Sequence, residues 1–155
     1  MRPSVLHQTK AVPVWKRGLE LADINAICRG TIHDALGIEF LAVEDGRLVA
    51  TMPVNASTHQ PFGFLHGGAS VVLAESLGSM AAYLACEENE VPAGIEVNAN
   101  HLRAVREGIV IGTATAIHLG RSLQVWSVEI RDAAERLVCV ARLTVSILTP
   151  RAPAT

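Results

Sequence analysis

From Gly67 to Ala85 the chain carries one charged side chain, Glu75, in a helical run otherwise made of apolar and small residues. A carboxylate spaced within such a run faces water, a partner or a substrate, because burying it alone is costly. Ser79 follows four residues later and shares its helical face, where a hydroxyl can orient a water or a leaving group. The run opens with His66-Gly67-Gly68. The first N–H groups of a helix lack internal acceptors, and glycine lets another group approach closely. Together these features can support proton transfer or nucleophilic attack by the carboxylate and stabilisation of negative charge by the helix entry. On the residues alone, a structural ion pair or an exposed helix position accounts for Glu75 equally well.

The elements that must hold these groups follow from period and punctuation. A central helix is predicted from about His66 to Cys86. Ala69, Ser70, Ala74, Gly78, Ala81 and Ala82 lie among Val72, Leu73, Leu77, Met80 and Leu84, small enough to pack closely on a sheet. Upstream, "LELADINAIC" predicts a short helix through Leu19, Ala22, Ile24, Ala26 and Ile27, loosened at Gly30. "GIEFLAVEDGRLVATMPV" predicts two strands joined by a tight turn at Asp45-Gly46, with Pro53 ending the second. "MPVNASTHQPFG" reads as a connection that presents His59 and Gln60 before the helix.

Downstream, "GIEVNANHLR", "GIVIGTATAIHLG", "SLQVWSVEIRD" and "RLVCVARLTVSIL" predict four long strands. In the third, Val125, Ser127 and Glu129 take one face and Trp126, Val128 and Ile130 the other. A hairpin, one long helix and an antiparallel run predict an α+β domain, with the helix packed across a curved antiparallel sheet. A doubly wound nucleotide fold would need repeated helical crossovers.

The chain has 155 residues, half of them apolar, which suits one domain over 15–149 between a flexible leader, 1–14, and a flexible tail, 150–155. Thirteen Lys and Arg against 15 Asp and Glu give no charge excess that would mark nucleic acid or an anionic membrane as a partner. Cys28, Cys86 and Cys139 are odd in number and show no CxxC spacing, a usage that fits a reducing compartment and hence the cytoplasm. The leader lacks the apolar segment of a secretory signal. Glu75 and the interspersed Ser and Gly argue against a membrane span over the central run. No residue spacing forms a metal site, and Gly67-Gly68 completes neither a dinucleotide fingerprint nor a P-loop. The nearly continuous apolarity of the later strands suits burial against a partner as well as against the helix, with a monomeric sandwich as the alternative.

Three stretches, "QPFGFLHGGASVVLAESLGS", "GIEVNANHLRAVREG" and "HLGRSLQVWSVEI", resemble the hotdog-fold thioesterases. The similarity is greatest to the bacterial aryl-CoA and 1,4-dihydroxy-2-naphthoyl-CoA group, and it runs from Trp15 to about Leu148. It implies a helix wrapped by the sheet, sheets paired across a homodimer, and a dimer of dimers giving a homotetramer. It also implies hydrolysis of an acyl-CoA thioester to free acid and CoA, with an aryl or related bulky acyl group and no metal or redox cofactor.

Within that resemblance Glu75 corresponds to the carboxylate that crosses a subunit interface to act as nucleophile or general base. Gly67 offers its N–H to the thioester oxygen, and His66 and Gln60 match catalytic-region positions that orient the carbonyl or a water. Ser79 assists Glu75. Arg103, Arg106 and Arg121, with Ser122, match the region that meets CoA phosphates or ribose, which guanidinium groups bind directionally; His101 and His118 border it. Menaquinone-pathway 1,4-dihydroxy-2-naphthoyl-CoA is the leading specific substrate. Clearance of misloaded aryl carrier proteins, a hotdog acyl-CoA hydratase or dehydratase, and a noncatalytic acyl-CoA-binding oligomer are the alternatives.

Overall fold

The computed structural model describes residues 14–150; the leader over 1–13 and the tail over 151–155 lie outside the described residues. The elements run α1 (Leu21–Ile27), α2 (Ile32–Leu36), β1 (Glu39–Glu44), β2 (Arg47–Val54), α3 (Gly67–Ala85), β3 (Val91–His101), β4 (Gly108–Leu119), β5 (Leu123–Asp132) and β6 (Leu137–Leu148). The strands form one antiparallel sheet in the order β1-β2-β4-β5-β6-β3. This is the α+β hotdog arrangement the sequence predicts, with α3 packed across the sheet.

Small residues bring α3 close to that sheet. Ala69, Ala74, Gly78, Ala81 and Ala82 are all buried, and a β-carbon at Gly78 would press into the Leu143 side chain on β6. By length and hydropathy α3 could cross a bilayer, but its apolar surface is spent here on the core with Trp126, Val128, Ile130 and Leu143. The alternation along β5 appears as expected: Trp126, Val128 and Ile130 are fully buried while Glu129 is exposed.

The α3 ends fall within a residue of the sequence expectation, with His66 as N-cap and Cys86 as C-cap. The last turn of α3 contains no basic residue. The chain just upstream of α1 supplies one instead. The Arg17 guanidinium donates to the carbonyls of Glu87 (2.6 Å) and Glu90 (2.8 Å) and stacks 3.8 Å over the Tyr83 ring. A cation there complements the negative end of the helix dipole.

Two features depart from the sequence reading. Pro53 does not end β2; it lies within the strand opposite Ile109 of β4. The pairing of β1 with β2 reaches only as far as Thr51, so beyond that point one side of β2 has no strand partner among the described residues, and a missing N–H there costs nothing. The Pro53 carbonyl accepts the Thr58 hydroxyl, 2.9 Å away, rather than a strand N–H. The second departure is α2, a five-residue helix that the sequence reading does not contain. Thr31 caps its start and Gly37, at φ 66°, its end.

The two sheet edges differ. Asn25 of α1 covers the β1 edge by exchanging two 2.9 Å hydrogen bonds with the Phe40 backbone. Among the described residues β3, at the other edge, pairs only with β6.

Candidate active site

The connection between β2 and α3 positions the helix entry. The buried Thr58 ties it down: its hydroxyl reaches the Pro53 carbonyl and accepts the Asn55 N–H at 3.0 Å, and its carbonyl accepts the His66 N–H at 2.8 Å. His66 Nδ1 then accepts the Gly68 N–H at 2.8 Å. An acceptor Nδ1 leaves the proton of the neutral ring on Nε2. His66 is thus the cap of α3 and is exposed.

Among the described residues no acceptor takes the N–H of Gly67, the first residue of α3. The ring of His101, at the end of β3, lies against this glycine; a β-carbon there would stand 2.9 Å from Nε2. A cavity of about 400 Å³ opens at this point, lined by Gln60, Phe64, Gly67, Ser70, His101 and Arg103 among others. The Gln60 carbonyl oxygen of the side chain accepts the Phe62 N–H within a local turn. Its amide nitrogen has no partner among the described residues and remains available as a donor.

Glu75 stands elsewhere on the helix. Eight residues separate it from Gly67, which at 1.5 Å per residue places it about 12 Å along the axis. It is half-buried, and burial pushes its carboxyl above the usual value, opposed by the Ser79 hydroxyl. That hydroxyl donates to Oε1 at 3.4 Å, a long contact. The carboxylate lies against the backbone of β3 at Gly94.

The arginines divide between the two ends of α3. Arg103 lines the cavity beside Gly67. Arg106 stacks 4.0 Å over the Phe64 ring, and its carbonyl sits 2.8 Å from His59 Nε2. Arg121 instead borders a cavity of about 530 Å³ with Lys16, Cys86, Glu87 and Gln124, beside the C-terminal end of α3. Ser122 lies next to it, its carbonyl accepting the Ile147 N–H at 3.0 Å. His118 packs against Gly120 in the same hairpin. Within one chain, the candidate CoA residues therefore form two groups separated by the length of α3, about 28 Å for its 19 residues. Among the described residues no group of three or more His, Cys, Asp or Glu is placed to hold a metal.

Sequence reasoning passed over two residues that shape this region, Thr58 and Gly94. Thr58 carried no signal beyond its place in a turn-rich stretch. Gly94 did, since a glycine inside a strand marks a bulge or a close approach.

The Thioesterase superfamily model matches residues 62–139, a span that holds the α3 entry, Glu75 and the β4–β5 hairpin. The chain is 51% identical to the 1,4-dihydroxy-2-naphthoyl-CoA hydrolase of Escherichia coli, over 87% of this chain and 99% of that protein. It is 48% identical to the proofreading thioesterase EntH of Klebsiella pneumoniae, over 86% of this chain and 98% of that one. The crystal structure of a mutant thioesterase from Pseudomonas aeruginosa superposes with a TM-score of 0.87 at 48% identity, covering 88% of this chain and 99% of that one. With these relatives spanning nearly the whole domain, the chain belongs to the hotdog-fold thioesterases and is an acyl-CoA thioester hydrolase.

Proposed function

We propose that the chain hydrolyses an aryl-CoA thioester, with 1,4-dihydroxy-2-naphthoyl-CoA as the leading substrate, in a site completed by a second copy of the chain. One observation carries the shared site. Gly67 and Glu75 belong to one rigid helix and are about 12 Å apart along it, so one chain cannot bring both to a single carbonyl. A second copy, pairing along the edge of β3 that no described strand covers, would bring its own Glu75 to the helix entry of the first.

In this reading the thioester oxygen accepts the unpaired Gly67 N–H, with the Gln60 amide as a second donor. Glu75 takes the proton of a water that attacks the carbonyl carbon, or attacks it directly to give a mixed anhydride that water then opens. Either way the C–S bond breaks, the thiolate of CoA leaves and takes up a proton, and the acid departs as carboxylate. Ser79 holds the carboxylate or the water. Arg103 and Arg106 at one end of α3, and Arg121 with Ser122 at the other, meet the CoA phosphates or ribose from two subunits; His101 and His118 border these contacts.

The substrate preference is supported by the 51% identity to a hydrolase of the naphthoyl thioester, which also favours a place in menaquinone biosynthesis. The similarly close proofreading thioesterases favour a second reading, the clearing of misloaded aryl carrier proteins. The three free, buried cysteines suit a reducing, cytoplasmic setting. A panel of naphthoyl-, hydroxybenzoyl- and aliphatic-CoA thioesters, with an aryl-loaded carrier protein alongside, tests the proposal through thiol release. The naphthoyl thioester turns over fastest. Exclusive turnover of short aliphatic thioesters overturns the aryl preference, and faster turnover of the loaded carrier protein moves the assignment to proofreading.

A further inference from the structure

Gly94 has no conformational reason to be glycine. It lies inside β3, paired with Val145 of β6 next to the register shift that ends at Glu96. The glycines at positive φ are Gly30, Gly37, Gly46, Gly63 and Gly108, so the backbone at residue 94 is open to any L-amino acid. Glycine in a strand interior forfeits packing and chain entropy, and β-branched residues are favoured there. Some other constraint offsets that loss.

The constraint is the Glu75 carboxylate. A β-carbon at Gly94 would overlap Oε1 and lie 3.1 Å from Cδ and 3.6 Å from Oε2; its three nearest atoms all belong to Glu75. The buried glycines behave differently. A β-carbon at Gly78 or Gly112 would meet core leucines, Leu143 or Leu77 and Leu73, which makes those two positions matters of packing. At Gly94 the empty space is filled by the charged group on which the hydrolysis depends.

We propose that Gly94 is a positioning residue for the reaction: by having no side chain it lets the Glu75 carboxylate lie flat against the backbone of β3. The inference rests on the reading of Glu75 as the acting carboxylate. The 3.4 Å contact from Ser79 is too long to hold that group by itself, so β3 forms the second wall of its seat. Burial is the larger cause of the raised Glu75 pKa and the Ser79 hydroxyl the opposing one; among the described residues no charged side chain contributes. Pushing the carboxylate off the strand moves it toward water and away from the attacking geometry, and a displacement of about 1 Å can cost on the order of 100-fold in rate.

The test is Gly94→Ala, alone and combined with Glu75→Ala. For Gly94→Ala, kcat falls about 10- to 100-fold while KM for the same thioester stays within about threefold. The acid limb of its pH–rate profile moves down toward the ordinary carboxylate range, a shift that a general weakening of β3 would not produce. A parent-like kcat, or a lowered kcat with an unmoved limb, overturns the proposal. Thermal unfolding supplies a readout independent of catalysis: Gly94→Ala lowers Tm in the parent by more than in Glu75→Ala, where the overlap is gone. An equal loss in both backgrounds overturns the seat. If Gly94→Ala alone does not fold, folding of the double variant supports the proposal and failure of both contradicts it. Should Glu75→Gln retain parent turnover, the catalytic reading fails, while the unfolding comparison still decides whether Gly94 seats the carboxylate.

Discussion

Gly67 and Glu75 share one helix and lie about 12 Å apart along its axis, and the N–H of Gly67 meets no acceptor among the described residues. In the proposed reading they serve a single thioester only when two chains contribute. The same division separates Arg103 from Arg121, at opposite ends of α3.

A shared site predicts complementation. Glu75→Gln and Gln60→Ala, each strongly impaired as a homodimer, regain activity when coexpressed. Random assortment makes about half the dimers mixed, each with one intact site of two, so about a quarter of the parent rate returns. Thiol release from the purified mixture checks this, and activity no greater than the sum of the two variants contradicts a shared site.

Burial of Glu75 predicts opposite effects on rate and stability. The acting carboxylate must be ionised, so kcat/KM falls as pH drops through a pKa above the ordinary glutamate range. For stability, the folded chain holds the Glu75 proton at pH values where the unfolded chain has released it. The contribution of Glu75 to stability therefore declines as pH rises from the unfolded to the raised folded pKa. Glu75→Gln accordingly has a higher Tm than the parent at neutral pH, and the gap closes at about pH 4 and below. Thermal unfolding across that range checks the sign.

Arg17 predicts a stability effect remote from the chemistry. Its guanidinium serves carbonyls beyond the end of α3 and stacks on Tyr83, so Arg17→Ala costs about 1–3 kcal/mol in urea unfolding. Arg17→Lys recovers only part of this, because an ammonium cannot fork between the carbonyls while stacking on the ring.

Much of the fold was legible in the sequence. The ends of α3 were marked by His66-Gly67-Gly68 and by the close of the small-residue run, and the first hairpin by Asp45-Gly46, whose turn joins β1 to β2. The alternation of β5 was readable because one of its faces is buried. α2 was not, since five residues are too few for a helical period to emerge. Pro53 misled because its tolerance depends on β1 stopping short, a fact of tertiary pairing. In the site, the lone carboxylate was conspicuous by composition, whereas the use of Gly94 as its seat depends on β3 meeting α3 and has no local signature beyond the glycine itself.

Phosphate recognition predicts that Arg121→Ala raises KM for the CoA thioester about tenfold with kcat little changed, equivalent to about 1.4 kcal/mol of binding. Steady-state kinetics at low and moderate salt check this, with the difference shrinking as salt screens the contact. An unchanged KM removes Arg121 from the ligand site.

The proposed hydrolysis turns on the carboxylate of Glu75, and kcat of Glu75→Gln on the best aryl-CoA substrate, with oligomeric mass measured in parallel, tests that role most directly. The amide keeps the size of the side chain and much of its hydrogen bonding but can neither take a proton nor attack the carbonyl. Glu75→Gln keeps a fold and an assembly like the parent's while kcat falls about 100-fold or more. A folded, parent-sized assembly that hydrolyses the thioester at the parent rate would contradict that role.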